Sequence, residues 1–350
     1  MKRPSLAIAV PPEATHPRVV RLSPPVGLCQ LFRPLTKSRA ARPTLNETYQ
    51  YGQDLTLRFS AREALGAPEQ TLLLVLLELA EEQHRRRPVE QRLDRTDRTE
   101  IGSQLWTSLH EDSPTPLQDE PATLMLSCSW SELHRRCGST SVGGAVTESR
   151  RASLARLCEV TVWEKSEAAR TVRSGRLVSW LVGDDQKVHV ALNHRLALAL
   201  LSPGYAQVLL SERLRLDSQT AMLVHAFLST CLGQGKTMAI GYATLVDRLW
   251  PGQGIHVPAS THRRRIADVK SALRSVGRLT HWEVSLGNSV ANVVRVRAKP
   301  ALAQTAERAK REASSTGKDS PVATAREMTR GSHFKVPSAS YAEQPFWKNA

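Results

Sequence analysis

Between residues 259 and 278 the chain places six basic residues against a single acid, Asp268. Advanced at 100° per residue, Ile266, Val269, Leu273 and Val276 fall within about 80° of one another, which makes an apolar stripe. Ser260, Arg264, Ala267 and Ser271 point the opposite way, with Arg263, Lys270 and Arg274 on one flank and Arg265 completing the basic run. Arginine grips guanine through two parallel hydrogen bonds or binds phosphate, and small or polar neighbours let a helix enter a groove. Ser260 and Thr261 stand near the helix start, where outward amides favour an anion. The plainer alternative is a solvated charged face.

A second helix, from Ala145 to Cys158, carries a weaker version of this pattern. Leu154 and Leu157 face inward, Ser149, Ala152 and Arg156 face out, and Arg151 flanks them; Arg150 falls near the apolar side and suits a snorkel or a pair. Two turns add candidates: Arg170, Arg173 and Arg176 in the first, Asn288 in the second, with Arg295 and Arg297 on the strand that returns from it.

Other motifs fail on spacing. Gly233-Gln234-Gly235-Lys236-Thr237 resembles the end of a phosphate-binding loop, but Thr230 stands where the loop's first glycine belongs. A helix precedes it and a strand follows, the reverse of the required order, so it reads as a helix C-cap. The eleven histidines form no H-E-x-x-H; His189 and His194 straddle a strand end, and Asp184-Asp185 is a turn. No catalytic constellation, cofactor motif or metal-ligand set stands out.

The elements around these residues repeat an order. Thr48 to Phe59 alternates as a strand or hairpin, and Thr71 to Gln83 is a buried helix after Pro68. Residues 84–121 form a polar insertion around a short segment at Ile101 to Leu109. Leu124 to Leu126 is a strand; Ser129 caps a helix to Arg136, with Glu132 completing a capping box. After Gly138 come the helix from Ala145, the strand Val160 to Trp163, a turn at Ala168 to Gly175, and strands Leu177 to Val182 and Lys187 to Leu192. The second half runs helix Leu216 to Leu232, strand Thr237 to Ile240, helix Ala243 to Trp250 and helix Ser260 to Val276. Strands Thr280 to Leu286 and Asn292 to Arg297 close it. Both halves share a closing phrase, Thr161-Val162-Trp163-Glu164 and Thr280-His281-Trp282-Glu283.

This order predicts an α+β fold of two tandem winged-helix domains, with disordered basic N- and C-terminal tails. The expected divisions are a basic flexible arm over 1–46, a first winged helix over 47–202, a second over 203–298, and a flexible basic tail over 299–350. The arm holds eight basic residues and one acid, Glu13; the tail holds nine basic and five acidic. Much of the chain's formal net charge of +15 therefore lies outside the centre. Mobile basic arms suit an anionic partner such as nucleic acid, or serve only solubility. The longest apolar run, Leu72 to Leu77, falls far short of the roughly 20 residues that span a bilayer, and Leu6 to Val10 is too short for a signal peptide. Five widely spaced cysteines without a C-x-x-C pair point to reduced, buried thiols and a cytoplasmic setting.

A set of ordered segments resembles replication initiator protein C of IncQ-type broad-host-range plasmids. They are Leu31-Phe32-Arg33, Thr48-Tyr49-Gln50-Tyr51-Gly52, Leu65-Gly66, Gly143-Gly144-Ala145 and Val190-Ala191-Leu192-Asn193. Leu216-Asp217-Ser218-Gln219-Thr220-Ala221, Gly235-Lys236-Thr237, Leu249-Trp250-Pro251 and Arg263-Arg264-Arg265 continue the series to about Ser285. The resemblance implies binding to repeated origin sequences (iterons) in double-stranded DNA, local duplex opening and recruitment of a plasmid helicase and primase. Self-association of several copies belongs to the same picture. It implies no enzymatic activity and no cofactor. A winged-helix transcriptional regulator would use the same surface, and an ATP-dependent helicase loader would need nucleotide at Lys236.

Overall fold

The helix starts are set locally, by glycine, proline and short polar caps. The structure, a computed structural model, describes residues 17–35, 42–97, 99–111, 123–140, 143–167, 171–251 and 257–297. The chain opens with β1 (Val19–Leu22), α1 (Pro24–Leu28), β2 (Leu45–Tyr51), β3 (Leu55–Ala61) and α2 (Ala67–Arg86). Next come β4 (Arg92–Leu93), α3 (Glu100–Leu109), β5 (Thr123–Cys128), α4 (Trp130–Arg136) and α5 (Gly144–Cys158). The strands β6 (Thr161–Ser166), β7 (Thr171–Arg176), β8 (Val178–Val182) and β9 (Val188–Leu192) follow. Then α6 (His194–Leu201), β10 (Ala206–Leu209) and α7 (Leu210–Arg213) lead to α8 (Gln219–Cys231), β11 (Thr237–Gly241) and α9 (Tyr242–Leu249). The last elements are α10 (Ala259–Val276), β12 (Trp282–Leu286) and β13 (Val290–Arg295).

The caps have visible causes. Thr99, Ser129 and Ser218 each accept a hydrogen bond from the amide three residues on, satisfying a helix-start donor. At α2, Glu69 Oε2 accepts from the Gly66 amide at 2.8 Å. Glu132 does not complete a capping box as expected; its carboxylate goes to Arg136 at 3.2 Å.

Both halves share one connectivity. In the second, β11 pairs with β13 and β13 with β12, beneath α8, α9 and α10. In the first, β5 pairs with β9 and β9 with β8, alongside α2, α4 and α5. The fold is α+β, as expected, but β1, α1, β4, α6, β10 and α7 have no counterpart in the order read from the sequence. One expected element of the first half also changes its kind. The expected turn over 168–175 is instead largely strand: β7 pairs with β6, and β6 with β3, in a separate sheet ordered β2–β3–β6–β7. Residues 168–170 lie outside the described residues. The two closing phrases therefore have different settings, with Trp282 2% exposed and Trp163 37% exposed.

The N-terminal segment also departs from expectation. β1 pairs antiparallel with β10, and Val20, Leu22, Val26, Leu31 and Leu45 are buried, so residues 17–35 and 42–46 belong to the body rather than to a flexible arm. Alternating apolar residues inside a basic stretch made this strand. Residues 1–16 and 299–350 lie outside the described residues, apart from which the expected tails have no structural account. Within the insertion, Leu105, Trp106 and Leu109 of α3 cover Leu93 and Ala191 as a small satellite core. One larger hydrophobic cluster runs from Val20 to Val293 and takes in both halves.

Two buried polar clusters lock the body. Glu69, fully buried, receives Arg156 at 3.1 Å, Arg42 at 3.2 Å and the Ser153 hydroxyl at 3.1 Å, tying α5 to the start of α2. Glu212 accepts from the His281 amide, from His281 Nδ1 at 2.7 Å and from Trp282 Nε1 at 3.0 Å, tying α7 to β12. Burial alone would raise the Glu212 carboxyl; hydrogen bonds and charge from His225 and His281 outweigh it and bring the pKa to about 2. Glu164, lowered against burial by His194 and Arg195, also lies at about 2.

Both carboxyls titrate below the ordinary 4.5 when folded, so the stability they lend is complete above that pH and drains as pH falls towards 2. Thermal melts should show wild type losing stability over that interval. Glu212→Gln should melt lower at pH 7 and depend less on pH between 4.5 and 2; an unchanged slope would exclude Glu212 as a contributor. Arg156→Ala leaves part of the Glu69 carboxylate uncompensated and should cost about 1–3 kcal/mol in denaturant unfolding.

Candidate nucleic-acid interface

The second unit presents an open basic helix. Val269, Ala272, Leu273 and Val276 seat α10 on the core, and Ile266 packs at its edge. Ser260, Arg263, Arg264, Ala267, Ser271 and Arg274 are exposed, while Thr261 is half-buried. Pro258 precedes the helix without a side-chain cap bond, so the first-turn amides have no such acceptor. Arg265 lies over the Trp250 ring at 5.2 Å, and burial together with the Arg264 charge lowers its pKa. Burial is the larger cause and the Arg264 charge the smaller; a run of adjacent guanidinium groups attracts an anion.

Not every nominated residue faces the same way. Lys270 Nζ approaches the Asn288 carbonyl at 3.4 Å and lies 4.6 Å from the Tyr242 ring centroid. Tyr242 donates its hydroxyl to the Gly287 carbonyl at 2.9 Å and its amide to the Ser289 carbonyl. Lys270 thus braces the β12–β13 turn against α9 and α10, leaving Asn288 exposed at its tip. Arg295 is 2% exposed and donates to the carbonyls of Ser229, Leu232 and Gln207, so it is a core tie and not a nucleic-acid contact. Arg297 is exposed and sits against Gly235, whose positive φ of 76° and close arginine leave no room for a Cβ.

The first unit is less open. Ser149 and Arg151 are exposed, with Arg151 5.3 Å from the Trp130 ring. Arg156 is a correction: its outward phase lands it on Glu63 at 2.8 Å and Glu69 at 3.1 Å, so its charge is already neutralised. Arg176 likewise meets Thr161 at 3.3 Å and Glu111 at 3.7 Å. Arg173 is half-buried on β7, opposite Glu164 in register. Arg150 donates to the Ser139 hydroxyl at 3.2 Å. Ser149, Val146 and Arg150 line a cleft of about 570 Å³ that Asp217 and Met222 close from the other side. Arg170 lies outside the described residues.

One exposed residue escaped the sequence reading as a site candidate. Arg278, counted in the basic run but assigned no role, is exposed in the turn that follows α10.

The phosphate-loop look-alike is an exposed turn between α8 and β11. The Gly235 amide donates to the Arg295 carbonyl at 2.6 Å and the Lys236 amide to the Gly233 carbonyl at 3.2 Å, so neither is offered to a phosphate. Among the described residues no helix is long and apolar enough to cross a membrane, and no His, Cys, Asp or Glu cluster has metal-site geometry. Cys29, Cys128 and Cys231 are free thiols pushed up to about 12, chiefly by burial.

No curated protein matches the chain. Among solved structures it is similar to the crystal structure of domains 2 and 3 of RctB, at 11% identity and a TM-score of 0.47, covering 79% of this chain and 100% of that one. The family model described as Replication protein C (RepC) matches residues 15–293. The chain belongs to the replication protein C family.

Proposed function

We propose that this chain is an IncQ-type replication initiator that reads repeated origin sequences through α10. The observation that carries the reading is the exposed row of Arg263, Arg264 and Arg274 on α10, with Arg278 in the turn that follows and the braced β12–β13 turn beside it. Both units act as winged helices in this reading. The helix of the second enters a major groove, and Ser260 and Thr261 meet a phosphate at its N-terminus. In the first unit Ser149 and Arg151 approach the backbone, while Arg156, Arg173 and Arg176 hold the fold. Several copies on adjacent repeats bend the duplex and favour melting of flexible A·T-rich steps, which requires no hydrolysis. A plasmid helicase and primase then load on the opened strands. Family membership favours this over a transcriptional regulator using the same surface. The occupied amides around Lys236 argue against an ATP-dependent loader.

Arg264 provides the test, since it lies opposite the buried stripe and its loss should spare folding. Arg264→Ala should weaken binding to the cognate repeat by about 1–3 kcal/mol and blunt discrimination at one base position. Leu273→Ala is the matched control: fully buried, it should instead cost about 2–5 kcal/mol of folding stability. Wild-type affinity of Arg264→Ala at physiological salt would refute the assignment of α10. Deleting residues 299–350 should retain specific binding but flatten the salt dependence, by about 0.9 in slope for each phosphate that the tail neutralises. An unchanged slope would exclude the tail from binding DNA.

A further inference from the structure

The duplicated closing phrase has one member without a packing role. Trp282 is buried and gives its indole hydrogen to Glu212, whereas Trp163, its counterpart in sequence, is 37% exposed. No other Phe, Tyr or Trp among the described residues is exposed. Trp163 stands mid-strand on β6, in the sheet β2–β3–β6–β7, whose other face buries Leu45, Leu57, Phe59 and Val162 against the core. On the Trp163 face, Ser174 of β7, the tryptophan's cross-strand partner on one side, is buried, whereas Arg58 is its partner on the other; Thr48 lies beyond Arg58, and Lys165 stands two residues along the same strand with Val172 opposite. Arg58, Thr48, Lys165 and Val172 are all exposed, as is Gln50, and no carboxylate occupies any of the positions. Arg58 donates Nε to Asn46 at 3.2 Å, a neutral partner that leaves its charge in place. Lys165 meets Glu167 in an exposed pair, which is weak and readily exchanged.

We propose that this sheet face is a stacking platform for single-stranded nucleic acid, with a base on Trp163 and flanking phosphates on Arg58 and Lys165. An indole between Arg58 and Lys165 offers a base its π-face and the backbone its charge, with Glu167 as the competitor that a phosphate on Lys165 must displace. Duplex DNA does not fit. Four strands span about 14 Å between the outer backbones, before side chains are added, and a major groove is only about 12 Å wide. An unpaired base, by contrast, can turn onto the ring. The platform lies on a different sheet from the α10 unit, so it adds a second nucleic-acid site and does not depend on which helix reads the duplex.

The full chain should be titrated against a fluorescein-labelled oligothymidylate of roughly 12 nucleotides, read by anisotropy, with a duplex repeat in parallel. Trp163→Ala should weaken single-strand binding about 10-fold or more, and Trp163→Phe should restore most of it. Arg58→Ala with Lys165→Ala should flatten the single-strand salt slope by about 1.4, at about 0.7 for each of two phosphates. None of these variants should alter duplex affinity, whereas Arg264→Ala should alter that alone. Single-strand affinity unchanged in Trp163→Ala overturns the proposal. So does an equal loss for duplex, a failure of Trp163→Phe to rescue, or a loss of self-association in place of strand binding, which would give the face to a second copy.

Discussion

Arg213 carries its charge where water does not reach, and both halves of the body converge on it. It is fully buried, donates to the carbonyls of Ala67 on α2 and Met222 on α8, and lies 3.3 Å from the Thr71 hydroxyl. Burial lowers its pKa to about 9, so the guanidinium remains charged at neutral pH. Such a group is tolerated only when its donors are satisfied, and here main-chain oxygens from both halves satisfy them. Its neighbour Glu212 faces the other way, towards His281 and Trp282. A four-residue helix thereby fixes α2 and α8 on one side and the last hairpin on the other. The last hairpin beside α10 inherits its position from that pair.

The helices were legible because their causes are local. The stripe of Ile266, Val269, Leu273 and Val276 and the caps at Ser129 and Ser218 depend on residues within a turn of one another. Strand pairing was not legible. Thr161 to Glu164 and Thr280 to Glu283 read alike and both strands join the one that follows, yet β6 also joins β3, which lies far back in the chain, while β12 has no second partner among the described residues. Long-range ion pairing was hidden for the same reason. Helical phase correctly turned Arg156 outward from its own apolar stripe, but nothing in α5 reveals that Glu63 and Glu69 wait there. Arg295 illustrates the converse: a basic residue on a hairpin strand looks like a surface group until three carbonyls claim it.

Shared connectivity has not produced shared electrostatics. On α10, Arg263, Arg264 and Arg274 are exposed. On α5 only Arg156 is answered by carboxylates within the fold, Arg150 going to a hydroxyl and Arg151 remaining exposed, and part of its surface faces a cleft that Asp217 and Met222 also line. The same architecture therefore offers an anion two unequal surfaces. Bracing differs as well. The hydrogen bonds among Lys270, Tyr242 and the 287–289 turn tie α9, α10 and the second hairpin to one another.

The pairing of β1 with β10 bears on how the chain is made. Val19 aligns with Leu209, so the first strand leaves the ribosome some 190 residues before its partner exists. At about 5–20 residues per second that is a wait on the order of 10–40 s, during which α2, which packs on β1, has emerged but β10, which pairs with β1, has not. The first strand can pair only after β10 has emerged, when most of the body has already been translated. Synthesis thus imposes a late step in which β1 and β10 complete their sheet.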